Sequence, residues 1–263
     1  MKRRTTTKDW LPVAGRETRA GDPTGDAFRP EWIDFERGIR VGRLEPQERI
    51  TQILRYHLER SYGTRFITDR WGRGMYWQWI CWLPRANKQA KPYSSGVNFG
   101  CAKLYISPDR DERVFEAGLQ VERGFVRGST PFPGCRLKKD WDWHRLVAQA
   151  NGRTALGKEL RRLLKREGFH AHVSSRTGGH TFQAKNFRGA GQIGTALRKC
   201  STSGWAGFQL YYPMPEDELR GCTGQDLVKA VFAAFREVVP AMNACMQIEL
   251  VPREPTGFRP RAE

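Results

Sequence analysis

Two histidines at alternate positions, His170 and His172, are the first residues of this chain that could do metal chemistry. Residues two apart on a strand point to the same face, so both imidazoles would face one side. Imidazole nitrogens are common zinc ligands, and Glu167 is close enough in sequence to add a carboxylate. No cysteine lies nearby, and histidines beside a basic segment also contact phosphates or solvent. The pattern therefore leaves the metal unassigned.

A predicted strand over residues 114–125 carries polar groups on one face. Alternation places Glu116, Gln120 and Glu122 on that face, with apolar side chains on the other. Asp109 precedes the strand, at the turn from the strand before it. Acids on a strand face often pair with neighbouring cations, as Lys103 could do here.

The order helix, three strands, helix around these acids resembles the core of the PD-(D/E)xK nuclease superfamily. The motif would be Pro108-Asp109 followed by Gln120-Val121-Glu122, and the resemblance covers roughly residues 45–150. It implies that Asp109, Gln120 and Glu122, with Glu116 as a further candidate, bind Mg²⁺, which generates hydroxide and stabilises charge at the phosphate. Glu122 occupies the position of the family's lysine, so an inactive descendant is the alternative.

Positive charge is concentrated in one part of the sequence. The 64 residues from Arg136 to Lys199 contain 15 lysines and arginines against four acids, a net charge of +11 within a total of +17. Such a field is usually offset by a polyanion. The candidate phosphate contacts are Arg153, Lys158, Arg161, Arg162, Lys165, Arg166, Arg176, Lys185, Arg188, Arg198 and Lys199.

Three phenylalanines, Phe169, Phe182 and Phe187, are interleaved with these cations. Backbone neutralisation combined with stacking surfaces is typical of proteins that bind single-stranded or distorted nucleic acid. The pattern predicts sequence-tolerant binding and does not distinguish DNA from RNA, or single strands from duplexes. An acidic protein partner is the alternative.

Four tryptophans, Trp71, Trp77, Trp79 and Trp82, fall within twelve residues. The structural interpretation has Trp77 and Trp79 filling a core against the first helix, with Trp82 on the opposite face. The functional interpretation is an aromatic pocket for an unpaired base, with phosphate and base contacts from the adjoining loop. Those contacts would come from Asn87, Lys88, Lys91 and Tyr93.

Composition limits the cellular context. The chain has no apolar run of membrane-spanning length and no signal-peptide pattern at its start, which predicts a cytoplasmic protein without a membrane partner. Its six cysteines are at least 20 residues apart and form no CxxC pair, which favours reduced thiols over disulfides or zinc.

The elements that must position these residues indicate an α/β or α+β fold. We predict a flexible N-terminal arm over 1–43, one domain over 44–250 and a tail over 251–263. Predicted helices span 45–60, 140–150, 154–167 and 223–239, and predicted strands span 75–83, 97–106, 114–125, 169–173 and 206–212. The segment 177–194 reads as a loop or hairpin. A three-stranded central sheet unit would be flanked by helices, one of them strongly basic.

These features lead to three function hypotheses. The first is a sequence-tolerant nucleic-acid-binding protein, acting as a subunit of a larger microbial nucleoprotein complex, with no cofactor. The second is the Mg²⁺-dependent nuclease. The third is a structural subunit that binds an acidic protein partner through its basic face.

Overall fold

The protein has a mixed α+β fold built on a large antiparallel sheet. The computed structural model describes residues 23–94, 97–124, 139–176, 178–200 and 204–253. Within them, nine strands form one sheet in the order β1-β2-β4-β5-β6-β9-β7-β8, and β3 also pairs with β4. The strands are β1 (Ile33–Asp34), β2 (Gly38–Arg40), β3 (Phe66–Arg73), β4 (Tyr76–Pro84), β5 (Lys103–Asp109), β6 (Val114–Arg123), β7 (His170–Ser175), β8 (Gly178–Phe182) and β9 (Ala206–Pro215).

Seven α-helices occur within the described residues. They are α1 (Ile50–Tyr62), α2 (Arg85–Gln89), α3 (Asp142–Gln149), α4 (Ala155–Arg166), α5 (Ala190–Lys199), α6 (Glu216–Arg220) and α7 (Gly224–Cys245). The longer helices bury their apolar sides on one face of the sheet, where α7 lies against β5, β6 and β9. None of the described helices is both long and apolar enough to cross a membrane.

Alternation along the central strands sends side chains into two different interiors. On β6, Phe115, Ala117, Leu119 and Val121 face the helices and belong to the main core. The alternate residues of β5, β6 and β9 face the other side of the sheet, where a smaller apolar cluster contains Tyr105 and Tyr211. One strand sequence therefore serves an apolar and a polar interior at once.

The helix beside β7 shows how local sequence sets its limits. Thr154 accepts a hydrogen bond from the backbone N–H of Gly157 at 3.0 Å and so caps α4. Leucines at 156, 160, 163 and 164 form its buried stripe. The left-handed backbone of Gly168, with φ of 75°, turns the chain into β7 after the helix ends.

The predicted N-terminal arm differs from the structure over its second half. Phe28, Ile33, Phe35, Ile39 and Val41 are all buried in the main core. Because these apolar residues are spread among glycines, prolines and charged residues, no helical or strand periodicity predicts a buried element there. The β1–β2 hairpin nevertheless joins β4 at the sheet edge. Residues 1–22 of the predicted arm and 254–263 of the predicted tail lie outside the described residues, as do Arg136, Lys138, Cys135 and Thr177.

The three strands predicted as a central unit correspond to β4, β5 and β6, which are neighbours within the larger sheet. The elements that were not predicted include β1, β2, β3, α2, α5 and α6. The strand β3 begins immediately after α1, and α5 begins inside the glycine-rich segment that we expected to be a loop. Gly194 of α5 is needed for packing, because a Cβ there would lie 2.2 Å from the carbonyl oxygen of Ala150.

The tryptophan arrangement requires a correction. Trp82 fills the main core, where its indole N–H donates to the Thr51 carbonyl at 3.2 Å and its ring packs on Phe235. Trp77 packs, partly buried, against the same core, as predicted. Trp79 lies on the opposite face of β4, because residues three apart on a strand have opposite orientations. The five described cysteines, Cys81, Cys101, Cys200, Cys222 and Cys245, are free thiols.

Candidate nucleic-acid interface and the polar face of the sheet

The helices α4 and α5 pack side by side over the β7 end of the sheet and turn their basic sides to solvent. Ten of the eleven predicted phosphate-binding residues are exposed, and we call them the basic surface. They are Arg153, Lys158, Arg161, Lys165, Arg166, Arg176, Lys185, Arg188, Arg198 and Lys199. Lys165 also donates to the Ala184 carbonyl at 2.5 Å, which ties α4 to the segment after β8.

Arg162 is the exception among the predicted contacts. Its guanidinium is half-buried and pairs with Glu159 at 2.9 Å, Glu237 at 2.5 Å and Glu167 at 3.7 Å. Glu159 and Glu167 are the only acids between residues 143 and 200. Arg162 therefore neutralises the acids nearest to the basic surface and holds α4 against α7.

The three phenylalanines do not provide stacking surfaces. Phe169, Phe182 and Phe187 are between 1% and 3% exposed and belong to the main core. They alternate with cations because α4, β7, β8 and α5 each bury one side and expose the other. This corrects the expectation that aromatic rings lie among the exposed cations.

A row of polar side chains crosses the other face of the sheet. Strand register places Lys103, Gln120, Gln209, His172 and Thr181 side by side on five successive strands. At the outer end, the Nδ1 atom of His172 lies 2.7 Å from Thr181 Oγ1. Burial lowers the pKa of His172, so its neutral form is favoured.

The inner end of this row is a nearly buried ion pair. Lys103 is 1% exposed and its Nζ atom lies 2.5 Å from the Glu122 carboxylate, which is also nearly buried. The second carboxylate oxygen of Glu122 accepts the indole N–H of Trp205 at 3.0 Å. Gln120 accepts the indole N–H of Trp79 at 2.5 Å. Each acceptor thus fixes the position of one aromatic ring.

Glu116 occupies a separate part of the polar face. It accepts a hydrogen bond from the Tyr105 hydroxyl at 2.9 Å and another from Tyr211. Burial raises the pKa of Glu116 to about 8, despite these hydrogen bonds. The Glu116 carboxyl is therefore largely protonated at neutral pH.

The residues implied by the nuclease resemblance are distributed along the hairpin of β5 and β6. Gln120 and Glu122 lie together, whereas Asp109 pairs with Val114, six residues from Gln120, on the order of 20 Å of strand. The Glu122 carboxylate is already neutralised by Lys103. Within the described residues, no group of three or more histidine, cysteine, aspartate or glutamate side chains could hold a metal ion.

A pocket of about 600 Å³ opens beside the Lys103–Glu122 pair, and we call it the aromatic pocket. Its walls include Trp71, Trp79, Phe99 and Trp205, with Gln120 and Glu122 at its polar side. Asp69, Arg70, Asn98 and Lys103 complete the lining. Trp205 and Phe99 were not identified from the sequence. Trp205 lies 83 residues from its partner Glu122, so no local pattern could reveal their contact.

The loop residues predicted to assist an aromatic pocket have different roles. Asn87 and Lys91 are fully buried, and Lys91 Nζ lies 2.6 Å from Asp142 in a salt bridge closed to solvent. They hold α2 against α3 and are not available to phosphates. Lys88 donates to Asn98 at 2.6 Å, and Tyr93 is 70% exposed without lining the pocket.

Comparison of the chain with protein-family models, with curated proteins and with solved structures found no match.

Proposed function

We propose that this protein binds nucleic acid without sequence preference through the basic surface. The observation that carries the proposal is that all ten of its cations are exposed, on α4, on α5 and in the segments that connect the elements around them. Among the residues that the structure describes, none of the ten forms an ion pair.

The charge arrangement supports a polyanionic partner. Lys158, Arg161 and Lys165 follow one another at helical spacing along the exposed side of α4, so their charges repel across one stripe. The nearby carboxylates of Glu159 and Glu167 pair with Arg162, so they do not relieve this repulsion. Phosphates would offset it and release condensed counterions, which is a sequence-independent source of affinity.

The proposal includes a cytoplasmic location, which the free thiols of the described cysteines support. It does not include strand cleavage. Glu122 is engaged by Lys103, and Asp109 does not line the aromatic pocket, so the geometry offers no combined site for the implied Mg²⁺.

The test is a binding titration with labelled single-stranded and duplex DNA and RNA, over about 50 to 300 mM salt. We compare the wild type with the double variant Arg161→Gln/Arg166→Gln. The control, Arg65→Gln/Arg85→Gln, removes the same charge from exposed positions at the ends of β3 and β4.

We expect the α4 double variant to lower the salt slope of log K by about 1.5, as the loss of two phosphate contacts requires. The control should leave the slope near the wild-type value. Equal losses in both variants would show that only net charge matters and would overturn the assignment of the surface. Absence of wild-type binding at about 150 mM salt would refute nucleic-acid binding and leave an acidic protein as the partner.

A further inference from the structure

The aromatic pocket lies on the opposite face of the sheet from α4 and α5, and the proposed function does not use it. Two of its rings are held rigidly. The indole N–H groups of Trp79 and Trp205 donate to Gln120 and Glu122, which fixes both ring planes. Gly207 makes room for Trp205, because a Cβ there would lie 2.8 Å from the ring. A ligand would therefore meet preformed aromatic walls.

A third ring, that of Trp71, stands at the mouth of the pocket. Trp71 is 67% exposed, the second most exposed large aromatic side chain after Tyr93 among the described residues. It lies on β3 opposite Trp79. Exposing an indole to water has a cost that is recovered when a flat apolar surface covers it.

The charges around the pocket disfavour a cationic ligand. The Nζ atom of Lys103 already lies 5.5 Å from the Trp79 ring centre and 5.8 Å from that of Phe99, the positions that a bound cation would use. Lys103 also neutralises Glu122. The other two charged lining residues, Asp69 and Arg70, have opposite signs. A neutral planar ring with hydrogen-bonding edges fits this lining better than a charged group.

Trp205, which forms one wall of the pocket, follows a residue that lies against Arg176 of the basic surface. Trp205 follows Gly204, and a Cβ at Gly204 would lie 3.1 Å from the side chain of Arg176. Buried Arg123 holds Cys200 and Gly204 by donating to the carbonyl oxygen of Gly204 at 3.0 Å and to that of Cys200 at 3.3 Å. Lys199 precedes Cys200 at the end of α5. Through Arg123, Cys200 at the end of α5 therefore lies near Gly204, which lies against Arg176 and precedes Trp205.

We propose that the aromatic pocket holds one unpaired nucleobase of a strand whose phosphates lie on the basic surface. This inference rests on the proposed function and adds to it a preference for unpaired over duplex nucleic acid. The base would stack on the indole rings, with its edge toward Gln120, since stacking tolerates every base.

The test uses single-stranded oligonucleotides of equal length with and without abasic positions, so that phosphate number is constant. The variants are Trp71→Ala and the control Tyr93→Ala, which removes an equally exposed aromatic ring outside the pocket. We expect Trp71→Ala to weaken binding of the intact strand roughly 5- to 150-fold, the range for one stacked base, with the salt slope unchanged. Abasic strands should bind the wild type as weakly as the variant, and Tyr93→Ala should match the wild type.

The outcomes separate the two proposals. If the wild type binds strands with a steep salt dependence but neither Trp71→Ala nor the abasic positions change the affinity, the base site is refuted and the basic surface stands. If no strand binds at about 150 mM salt, the proposed function fails. The last experiment titrates the protein with a free nucleoside monophosphate. If the monophosphate binds in a Trp71-dependent manner and no strand binds, the pocket holds a free nucleotide. That result would overturn the inference that the pocket holds a base of a strand.

Discussion

The two faces of the central sheet are built from the same strands by opposite rules. On the helix side, Leu119 and Phe208 pack against apolar neighbours that constrain shape but not hydrogen-bonding geometry. On the other side, Lys103 pairs with Glu122, Gln120 accepts from Trp79 and Glu122 also accepts from Trp205, so each side chain depends on particular polar partners. Buried ion pairs are weak sources of stability, because desolvation offsets their attraction. The difference indicates that the helix side supplies most of the stability and that the polar side supplies a shaped, preorganised surface.

The largest effect should come from emptying the helix side. Trp82→Ala removes a fully buried ring that packs against Phe235, and we expect a loss of about 4 kcal/mol in the free energy of unfolding. Urea denaturation measures it. The matched control is Trp71→Ala, which removes an exposed tryptophan and should change stability by less than about 0.5 kcal/mol. Similar losses in the two variants would contradict this division of the sheet.

A substitution on the polar side of the sheet should lower the free energy of unfolding slightly less than Trp82→Ala does. A second substitution should recover part of that loss. Lys103→Met leaves the Glu122 carboxylate buried without its counter-charge, and we expect a loss of about 3 kcal/mol. Adding Glu122→Gln removes the orphaned charge and should recover at least half of that loss in a double-mutant cycle. If the two substitutions were additive, Lys103 and Glu122 would not be coupled.

The pH dependence of the free energy of unfolding should reveal the raised pKa of Glu116. Its folded-state pKa of about 8 lies above its ordinary value, so the stability associated with this group is fully present below the ordinary value. As the pH rises through the ordinary value, the carboxyl group ionises in the unfolded state and this stability declines. The decline levels off above about pH 8. Between about pH 5 and pH 7, the wild type should lose roughly 2 to 3 kcal/mol relative to Glu116→Gln. Parallel stability profiles of the two proteins would show that Glu116 titrates normally.

The smallest effect belongs to the edge of the polar row. Thr181→Val removes the partner of His172 Nδ1 at a half-exposed position, where water can replace it. We expect a loss of about 0.5 to 1 kcal/mol, the net value of a single hydrogen bond. Thermal denaturation would show whether the cost per partner falls from the buried end at Lys103 to this edge, and a loss as large as that of Lys103→Met would contradict the gradient.

Local patterns predicted those parts of the fold that local contacts determine. The alternation in β6 assigned Glu116, Gln120 and Glu122 to one face, and the leucine period of α4 located its buried side. Burial of Lys91 depends on Asp142, 51 residues away, so a lysine in a polar loop appeared exposed. The helix α5 was missed because its glycines have low helix propensity, and Gly194 is required by tertiary packing.

The candidate site divides in the same way. Helical spacing predicted the exposed side of α4, apart from Arg162, whose partner Glu237 lies on a distant helix. Phosphate binding by the exposed cations stays a prediction. The aromatic pocket could not be assembled from the sequence, because Trp71, Phe99 and Trp205 come from separate segments. Only the register of β3, β4, β5, β6 and β9 brings those segments together.

The polar row that runs from Lys103 to Thr181 also constrains how the strands can align during folding. A shift of β6 by one residue would turn Glu116, Gln120 and Glu122 into the helix-packed core, where their charges and amides would find no partners. A shift by two residues would preserve the faces but put Glu116 or Gln120 in the place of Gly118, where a Cβ would lie 2.0 Å from the Leu210 carbonyl oxygen. Apolar alternation therefore disfavours an error of one residue in the register of β6, and the close backbone contact at Gly118 on the polar face disfavours an error of two.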